Sequence, residues 1–166
     1  MKQPLKTNNQ KAWEVVHAHT YQSGGAALPA WGVHAVGREH TDKLLTITGN
    51  RILEIGCGRG ESVPYVLTKN PKQYVGVDFS KTALEQARQT YHTPITTFVQ
   101  ADMNKKMLFP DALFEEIFSI YGFGWSRNIP KTLSEIYRLL KPGGRFTFSW
   151  DHYLASCVEE KNGNIM

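Results

Sequence analysis

A glycine-rich turn directly after an apolar run is the feature that most constrains the fold of this chain. Ile52 and Leu53 are typical of a buried strand, and the turn that follows carries glycine at three alternate positions, Gly56, Gly58 and Gly60. Because glycine has no Cβ, a ligand can lie against the bare backbone of such a turn. A helix that follows would direct its free N–H groups at that ligand. The pattern therefore predicts a ligand-binding strand–turn–helix unit.

A carboxylate ends the next apolar run. Residues 74–77 are followed by Asp78, which lies 22 residues after Gly56. A carboxylate at the end of a second strand is placed to accept hydrogen bonds from two ribose hydroxyls. Together, the turn and the carboxylate predict a pocket for an adenosine-containing cofactor.

The residues around the glycines discriminate between cofactors. A dinucleotide fingerprint, G-x-G-x-x-G, would place its third glycine at position 61, which holds Glu61, whereas the third glycine is Gly60. Glu54 precedes the first glycine by two residues, and a carboxylate there would repel a diphosphate. The same acid suits a ligand with an α-amino group and a sulfonium. This electrostatic argument favours S-adenosylmethionine over NAD.

Four segments, in this order, resemble motifs of the class I S-adenosylmethionine-dependent methyltransferases. They are the glycine turn at 52–60, the strand end at 75–80, the segment 100–103 and the Leu-Leu-Lys-Pro-Gly-Gly-Arg-Phe turn at 139–146. Four ordered motifs are more specific than a lone glycine loop. The resemblance implies S-adenosylmethionine as the cofactor and methyl transfer as the activity.

The resemblance also implies roles for individual residues. Glu54 would approach the methionine moiety, Asp78 the ribose, and Asp102 the adenine amino group. Phe79 and Met103 would sandwich the adenine ring, although either could belong to the core, and Asp102 could be a turn former only. The predicted cofactor contacts are Glu54, Gly56, Cys57, Gly58, Gly60, Asp78, Phe79, Asp102, Met103 and Ser119.

Strands and helices alternate from residue 51 onward. Strands are predicted at about 51–55, 73–78, 96–101, 115–120 and 145–150, and helices at about 61–69, after Ser80 and from Asn128. Ser80 is predicted to cap the second helix, which would leave Asp78 for the ribose. Repeated βα units predict an α/β fold, a doubly wound and mostly parallel sheet with helices on both faces. Ligands bind such sheets at the carboxyl ends of the strands.

Two regions flank these units. Residues 1–48 are predicted to form an N-terminal helical and loop cap, with Trp13, Tyr21 and Trp31 making it a candidate lid, and residues 49–166 the binding domain. The family's sheet usually has seven strands, so this chain is predicted to be a fragment or a shortened variant. The tail 159–164 carries a turn signal but no room for two strands. An exposed fifth strand would self-associate, or would be covered by the rest of a longer protein.

Composition narrows the choice of partners and compartment. The net charge is +4, but the basic residues are scattered, so nucleic acid is not indicated as a partner. No apolar run reaches the length of a membrane span, and the N-terminus lacks a signal-peptide core. The two cysteines do not predict a disulfide framework, and the histidines do not form a metal-ligand pattern. A cytosolic enzyme without a metal is predicted.

The acceptor and the chemistry are less constrained. Residues 121–125 are aromatic and glycine-jointed, and they lack the proline motif of enzymes that methylate exocyclic base nitrogens, which favours a small organic acceptor. His152 and Tyr121 are the candidate general bases. Two alternatives stay open. One is an NAD(P)-dependent oxidoreductase, disfavoured by Glu54 and Glu61, and the other is a module that binds the cofactor without turnover.

Overall fold

The computed structural model describes residues 44–150 together with two short strands at 160–161 and 164–165. Five parallel strands form one sheet in the order β3-β2-β1-β4-β5. They are β1 (Arg51–Ile55), β2 (Gln73–Asp78), β3 (Thr96–Gln100), β4 (Phe114–Ile120) and β5 (Leu140–Ser149). The helices are α1 (Val63–Thr68), α2 (Lys81–Thr90) and α3 (Ile129–Leu139), and a 3₁₀ turn covers Phe123–Trp125. The predicted doubly wound α/β fold is confirmed.

Successive side chains of the central strands point to opposite faces of the sheet, and each face has its own core. Ile52 packs in one cluster with residues of α1 and α2, and Leu53 packs in another with residues of α3. Helices therefore cover both faces, which is why β1 and β2 are buried along almost their whole length.

The strand order places a topological switch point between β1 and β4. From β1 the chain runs outward to β2 and β3, and it then crosses back to β4 and β5 on the other side. In doubly wound sheets the ligand crevice lies outside the carboxyl ends of the strands at this point. The glycine turn after β1 and the aromatic segment after β4 both begin there.

The helix α2 begins after Ser80, the residue predicted to cap it. The Ser80 Oγ accepts a hydrogen bond from the Ala83 N–H at 3.2 Å. The inward face of α2 is formed by the apolar residues Ala83, Leu84 and Ala87, all fully buried. Ser80 therefore acts as the N-cap, as predicted.

The inward face of α3 differs from the apolar spacing visible in the sequence. Leu133 and Tyr137 lie at helical spacing, yet both are exposed, Tyr137 by 82%. The buried positions are Thr132, Ile136 and Leu139. A threonine can occupy this core position because its hydroxyl is hydrogen-bonded, to the Met103 carbonyl.

The fifth strand begins earlier than the sequence predicts. Leu140 already pairs with Phe114, and a register shift follows before Arg145 pairs with Glu116. The turn predicted at 139–146 is thus an irregularity within β5, and α3 ends before it. Proline and glycine are tolerated there because β5 lies at the edge of the described sheet.

Three further sequence predictions are affected. Leu45 and Ile47, assigned to the N-terminal cap, are buried in the core of the sheet domain. The predicted turn signal at 159–164 lies where Glu160–Lys161 and Asn164–Ile165 pair as a two-residue antiparallel ladder, which is separate from the five-stranded sheet. The remainder of the predicted cap, including the lid aromatics, lies outside the described residues. Among the described residues, no helix is long and apolar enough to cross a membrane.

Candidate functional site

The glycine turn adopts a conformation that only glycine accepts easily. Gly56, Gly58 and Gly60 have φ values of +74°, +54° and +80°. The N–H groups of Gly56 and Cys57 both donate to the Val77 carbonyl, at 2.8 and 3.0 Å. The turn therefore lies across the carboxyl ends of β1 and β2, because its backbone is hydrogen-bonded to the neighbouring strand.

The backbone donors of this turn are largely consumed within the protein. The Gly58 N–H donates to Asp78 Oδ2 at 3.0 Å, and the Gly60 N–H donates to the Cys57 carbonyl at 2.8 Å. The Val63 N–H, the first in α1, donates to the Gly60 carbonyl at 3.0 Å. The first N–H group of α1 is therefore not one of the free groups expected to face a ligand, and the N–H groups of all three turn glycines are bonded within the protein, unlike the free donors that bind a diphosphate.

The turn after β1 touches the turn after β4 backbone to backbone. A Cβ at Gly56 would lie 2.9 Å from the Gly122 Cα, and a Cβ at Gly122 would lie 2.8 Å from the Ile55 carbonyl oxygen. The Ser119 Oγ donates to the same Ile55 carbonyl at 2.6 Å and is fully buried. Ser119, a predicted cofactor contact, thus joins β4 to β1, and Gly122 is a residue of the site that the sequence-based prediction missed. The second glycine-spaced segment, 122–124, was the signal that could have found it.

Asp78 lies at the centre of the carboxyl edge. The Asp78 Oδ2 accepts from the Gly58 N–H, and its Oδ1 accepts from the Ser80 N–H at 2.8 Å. A carboxylate can accept several hydrogen bonds at once, which is why one side chain bonds both the turn after β1 and the turn after β2. The neighbouring Phe79 is half-buried, and its carbonyl accepts from the Gln100 side chain at 2.9 Å, which joins the ends of β2 and β3.

Glu54 is buried beneath the turn. It is only 4% exposed, and its Oε2 accepts hydrogen bonds from the hydroxyls of Ser62 and Tyr74. Burial raises the pKa of Glu54 from 4.5 to about 8, against the opposing effect of the two hydroxyl hydrogen bonds. The carboxyl is therefore mostly protonated near neutral pH. The argument that a charged Glu54 repels a diphosphate does not hold in this structure, and discrimination between the cofactors rests on the consumed backbone donors instead.

The titration of Glu54 makes stability depend on pH. Because the folded-state pKa lies above the unfolded value, folding takes up a proton, and the stability this contributes is lost as pH rises from 4.5 through 8. We expect the free energy of unfolding to fall by about 2 kcal/mol between pH 6 and pH 8. Urea unfolding of the wild type and of Glu54→Gln at pH 6, 7 and 8 measures this change. In the variant, the free energy of unfolding should depend much less on pH.

A second buried acid supplies the comparison. The pKa of Glu116 is also raised by burial, but Arg145 lies 3.3 Å from its Oε2 and favours the charged form. Glu116→Gln should therefore flatten the profile less than Glu54→Gln does. Equal slopes in the wild type and in Glu54→Gln would exclude Glu54 as the titrating group.

Cys57 contributes a core side chain. The thiol is buried, and a Cβ at Gly76 of β2 would lie 2.8 Å from the Cys57 Sγ. Burial raises the pKa of this thiol, so it stays neutral and unreactive. Any contact of Cys57 with a cofactor would therefore be made through its backbone.

Asp102 occupies a turn after β3. Its Oδ1 accepts from the Asn104 backbone N–H at 3.0 Å and from the Asn104 side-chain amide at 2.9 Å. The Arg127 Nη2 lies 3.7 Å from its Oδ2. Asp102 thus has the turn-forming contacts of the alternative interpretation, and the adenine contact stays a prediction. The adjacent Met103 is half-buried against the core on the α3 face.

The acceptor side of the edge is aromatic. Tyr121 has φ +56°, an uncommon conformation for a residue with a Cβ, and its N–H donates to the Ser149 carbonyl at 3.2 Å. The Trp125 and Trp150 rings meet edge to face at 5.5 Å, and a Cβ on Gly124 would overlap the Trp150 ring. The glycine in this segment is therefore needed for the aromatic contact. His152, the other candidate base, lies outside the described residues.

A pocket of about 420 Å³ lies at the opposite end of the sheet. It is lined by the start of β4 and β5, where Glu115 pairs with Lys141 and Glu116 with Arg145. In each ion pair an acid of β4 is neutralised by a basic residue of β5, so the pairs also join the two strands. The pocket is therefore separate from the carboxyl edge, where the glycine turn and Asp78 lie.

Comparisons with known proteins agree with this geometry. Residues 53–148 match the profile of a family described as a methyltransferase domain. The chain is 30% identical over 104 residues to the Mycobacterium ulcerans protein named probable phthiotriol/phenolphthiotriol dimycocerosates methyltransferase 2, a match covering 62% of this chain and 40% of that protein. It is also 30% identical over 104 residues to the fatty-acid O-methyltransferase of Mycolicibacterium smegmatis, covering 62% and 38%.

A solved structure shares the fold. The crystal structure of an S-adenosylmethionine-dependent methyltransferase from Mesorhizobium loti superposes with a TM-score of 0.64 at 26% identity, over 78% of this chain and 54% of that one. The chain spans less than half the length of the two curated relatives. Because the family profile matches more than half of its residues, the chain belongs to the S-adenosylmethionine-dependent methyltransferase family that its motifs resemble.

Proposed function

We propose that this chain binds S-adenosylmethionine at the carboxyl ends of β1, β2 and β3 and transfers its methyl group to a small-molecule acceptor beside β4 and β5. The observation that carries the proposal is the pairing of Asp78 with the glycine turn. Asp78 ends β2 with a carboxylate that is bonded to the glycine turn, while the turn bonds most of its own N–H groups within the protein. This combination fits a ribose diol next to a ligand without a diphosphate.

The other predicted contacts fit around that centre. Phe79 and Met103, which follow β2 and β3 and are half-buried, are the residues proposed to lie on either side of the adenine ring. Asp102 places a carboxylate after β3, and the adenine amine is its proposed donor. The three glycines let the methionine moiety approach the backbone of the turn. Glu54 supports this turn from below through Ser62.

When bound, S-adenosylmethionine supplies a methyl group that its sulfonium already activates. The protein then has to hold the acceptor in line with that methyl group, and such positioning alone lowers the barrier substantially. An oxygen or nitrogen acceptor also has to lose a proton. Tyr121 is one candidate base, because its positive φ at the carboxyl end of β4 is the kind of local strain found at functional sites. His152 is the other candidate.

A panel of ligands tests the cofactor assignment. We expect S-adenosylhomocysteine to raise the melting temperature of the chain, since a ligand that binds only the folded state stabilises it. NAD and NADP should leave it unchanged, because the turn has few free donors for their diphosphates. A rise with NAD and none with S-adenosylhomocysteine would favour the oxidoreductase alternative.

The acceptor is proposed to be apolar. Phe123 packs against Phe148 at 4.8 Å, and Trp125, Phe148 and Trp150 leave 41–49% of their area exposed beside the site. Such a wall suits an alkyl or aryl group. One relative is named for fatty acids, and the other for phthiotriol and phenolphthiotriol dimycocerosates.

Methyl transfer from labelled S-adenosylmethionine to fatty acids of increasing length, and to small polar acceptors, tests this assignment. Transfer to polar acceptors alone would contradict it. Binding of the cofactor without transfer to any acceptor would favour the binding-module alternative.

A cytosolic location remains part of the proposal.

Self-association through β5 is a further part of the proposal. Within the described residues, β5 is an edge strand with a half-exposed aromatic face. Edge strands with apolar side chains pair readily with other chains. We expect light scattering across a concentration series to show a mass increase that Phe148→Lys suppresses. Leu108→Lys is the matched control, since Leu108 is 98% exposed and lies outside the sheet. A wild-type monomer at every concentration would refute the pairing.

A further inference from the structure

Asn104 makes an unusual number of hydrogen bonds for a loop residue. Its backbone N–H and its Nδ2 both donate to Asp102 Oδ1, at 3.0 and 2.9 Å. Its Oδ1 accepts from the Arg127 N–H at 2.7 Å and from the Ser126 Oγ at 3.2 Å. A side-chain amide is suited to this position because it carries donors and an acceptor on one group.

A second contact joins the same two loops. Thr132, fully buried in α3, donates from its Oγ1 to the Met103 carbonyl at 3.1 Å and lies 2.8 Å from the Ser126 Oγ. Arg127 adds its ion pair with Asp102 at 3.7 Å. The loop after β3 (residues 101–106, here called the adenine-side loop) is thus bonded to the segment after β4 (residues 121–128, the acceptor-side loop).

The position of these contacts in the fold gives them their significance. β3 and β4 are not neighbours, because β2 and β1 lie between them in the sheet. No strand pairing therefore aligns the loops that follow β3 and β4. Their relative position depends on side-chain hydrogen bonds, and Asn104 makes two of the bonds that cross between them.

We propose that Asn104 is a positioning residue that fastens the acceptor-side loop to the adenine-side loop, so that cofactor binding at Asp102 orders the aromatic wall for the acceptor. This inference rests on the proposed cofactor site. Asn104 does not need to touch the reacting groups. A ligand that holds Asp102 in place also holds Asn104, which in turn fixes the Arg127 N–H and the 3₁₀ turn before it.

Hydrogen exchange measured by mass spectrometry, with and without S-adenosylhomocysteine, tests this role without knowledge of the acceptor. In the wild type, the ligand should slow exchange in both loops. In Asn104→Ala, protection of the adenine-side loop should persist, whereas the ligand-induced slowing in the acceptor-side loop should fall by about tenfold. Thr132→Val keeps the shape of the side chain but loses the hydroxyl, and it should give an intermediate loss.

Gln100→Ala is the matched control. Its side chain lies on the same edge and bonds the Phe79 carbonyl, but it has no hydrogen bond to the acceptor-side loop among the described residues. In this variant the ligand should slow hydrogen exchange in the acceptor-side loop as much as in the wild type. The comparison distinguishes a specific role of Asn104 from a general loosening of this edge of the sheet.

The outcomes separate the two proposals. If the ligand fails to protect the adenine-side loop of the wild type, the cofactor site itself is wrong and the positioning role falls with it. If that loop is protected but the acceptor-side loop is not, or if Asn104→Ala transmits protection as fully as the wild type, the positioning role is refuted and the cofactor site stands. A melting temperature for each variant establishes that it is folded during the measurement.

Discussion

Replacing Asp78 with alanine is expected to weaken binding of S-adenosylhomocysteine by about 100-fold or more, a larger loss than removal of any other side chain proposed to contact the cofactor. Two ribose hydroxyls would donate to this carboxylate, and a hydrogen bond to a charged group is worth about 1.5–3 kcal/mol. The variant also releases the Gly58 and Ser80 N–H groups that hold the two turns together. Calorimetric titration of the ligand measures the change.

Two further variants show how much of that loss belongs to the ribose. Asp78→Asn keeps the size of the side chain and one acceptor oxygen, so it keeps one of the two backbone bonds, to Gly58 or to Ser80, and should lose about tenfold in affinity, less than the alanine variant. Asp102→Ala should lose less than Asp78→Ala, because it removes a single bond to a neutral amine. Wild-type affinity in Asp78→Ala would remove the ribose assignment.

Gly56→Ala is expected to cost about 3 kcal/mol of folding free energy and to abolish cofactor binding. The left-handed backbone conformation at φ +74° costs an alanine about 1–2 kcal/mol of folding free energy. Its Cβ would also lie 2.9 Å from the Gly122 Cα, and because both partners are backbone, one turn has to move. Displacement of a packed element adds about 1–3 kcal/mol.

Gly143→Ala is the control for the conformational part. Gly143 has a similar φ of +80°, but nothing lies within 4 Å of a Cβ placed there. It should therefore lose only the conformational share, with cofactor binding intact. Urea denaturation and titration with S-adenosylhomocysteine compare the two variants. Equal losses would show that contact between the turns after β1 and β4 is not what makes glycine necessary at position 56.

Local patterns in the sequence were sufficient for the elements that carry the site. The bounds of β1 and β2 agree with those predicted, and Ser80 caps α2. Apolar runs, glycine turns and capping residues are properties of a few consecutive residues, so they can be read without knowing what lies nearby. The motif spacing also brought Asp78 and the glycine turn to the same edge, since parallel strands end together.

Glu54 shows where local information stops. In the sequence it is an acid before a glycine turn, a pattern that predicts a negative charge facing the ligand. In the fold, Tyr74 of β2 and Ser62 at the start of α1 both donate to it, and burial raises its pKa to about 8. The partners lie 20 and 8 residues away, so neither its burial nor its proton could be predicted from its neighbours in sequence.

The sequence alone determined the class of fold and the family, and it assigned Asp78 and the glycine turn to one edge of the sheet, because these follow from short motifs and their order. Tertiary structure decided which side of α3 is buried, how Gly122 presses against Gly56, and that Asn104 joins loops whose strands are not neighbours. Each of these depends on contacts between segments distant in the chain. Packing and desolvation at such contacts are set by three-dimensional proximity, which no local pattern encodes.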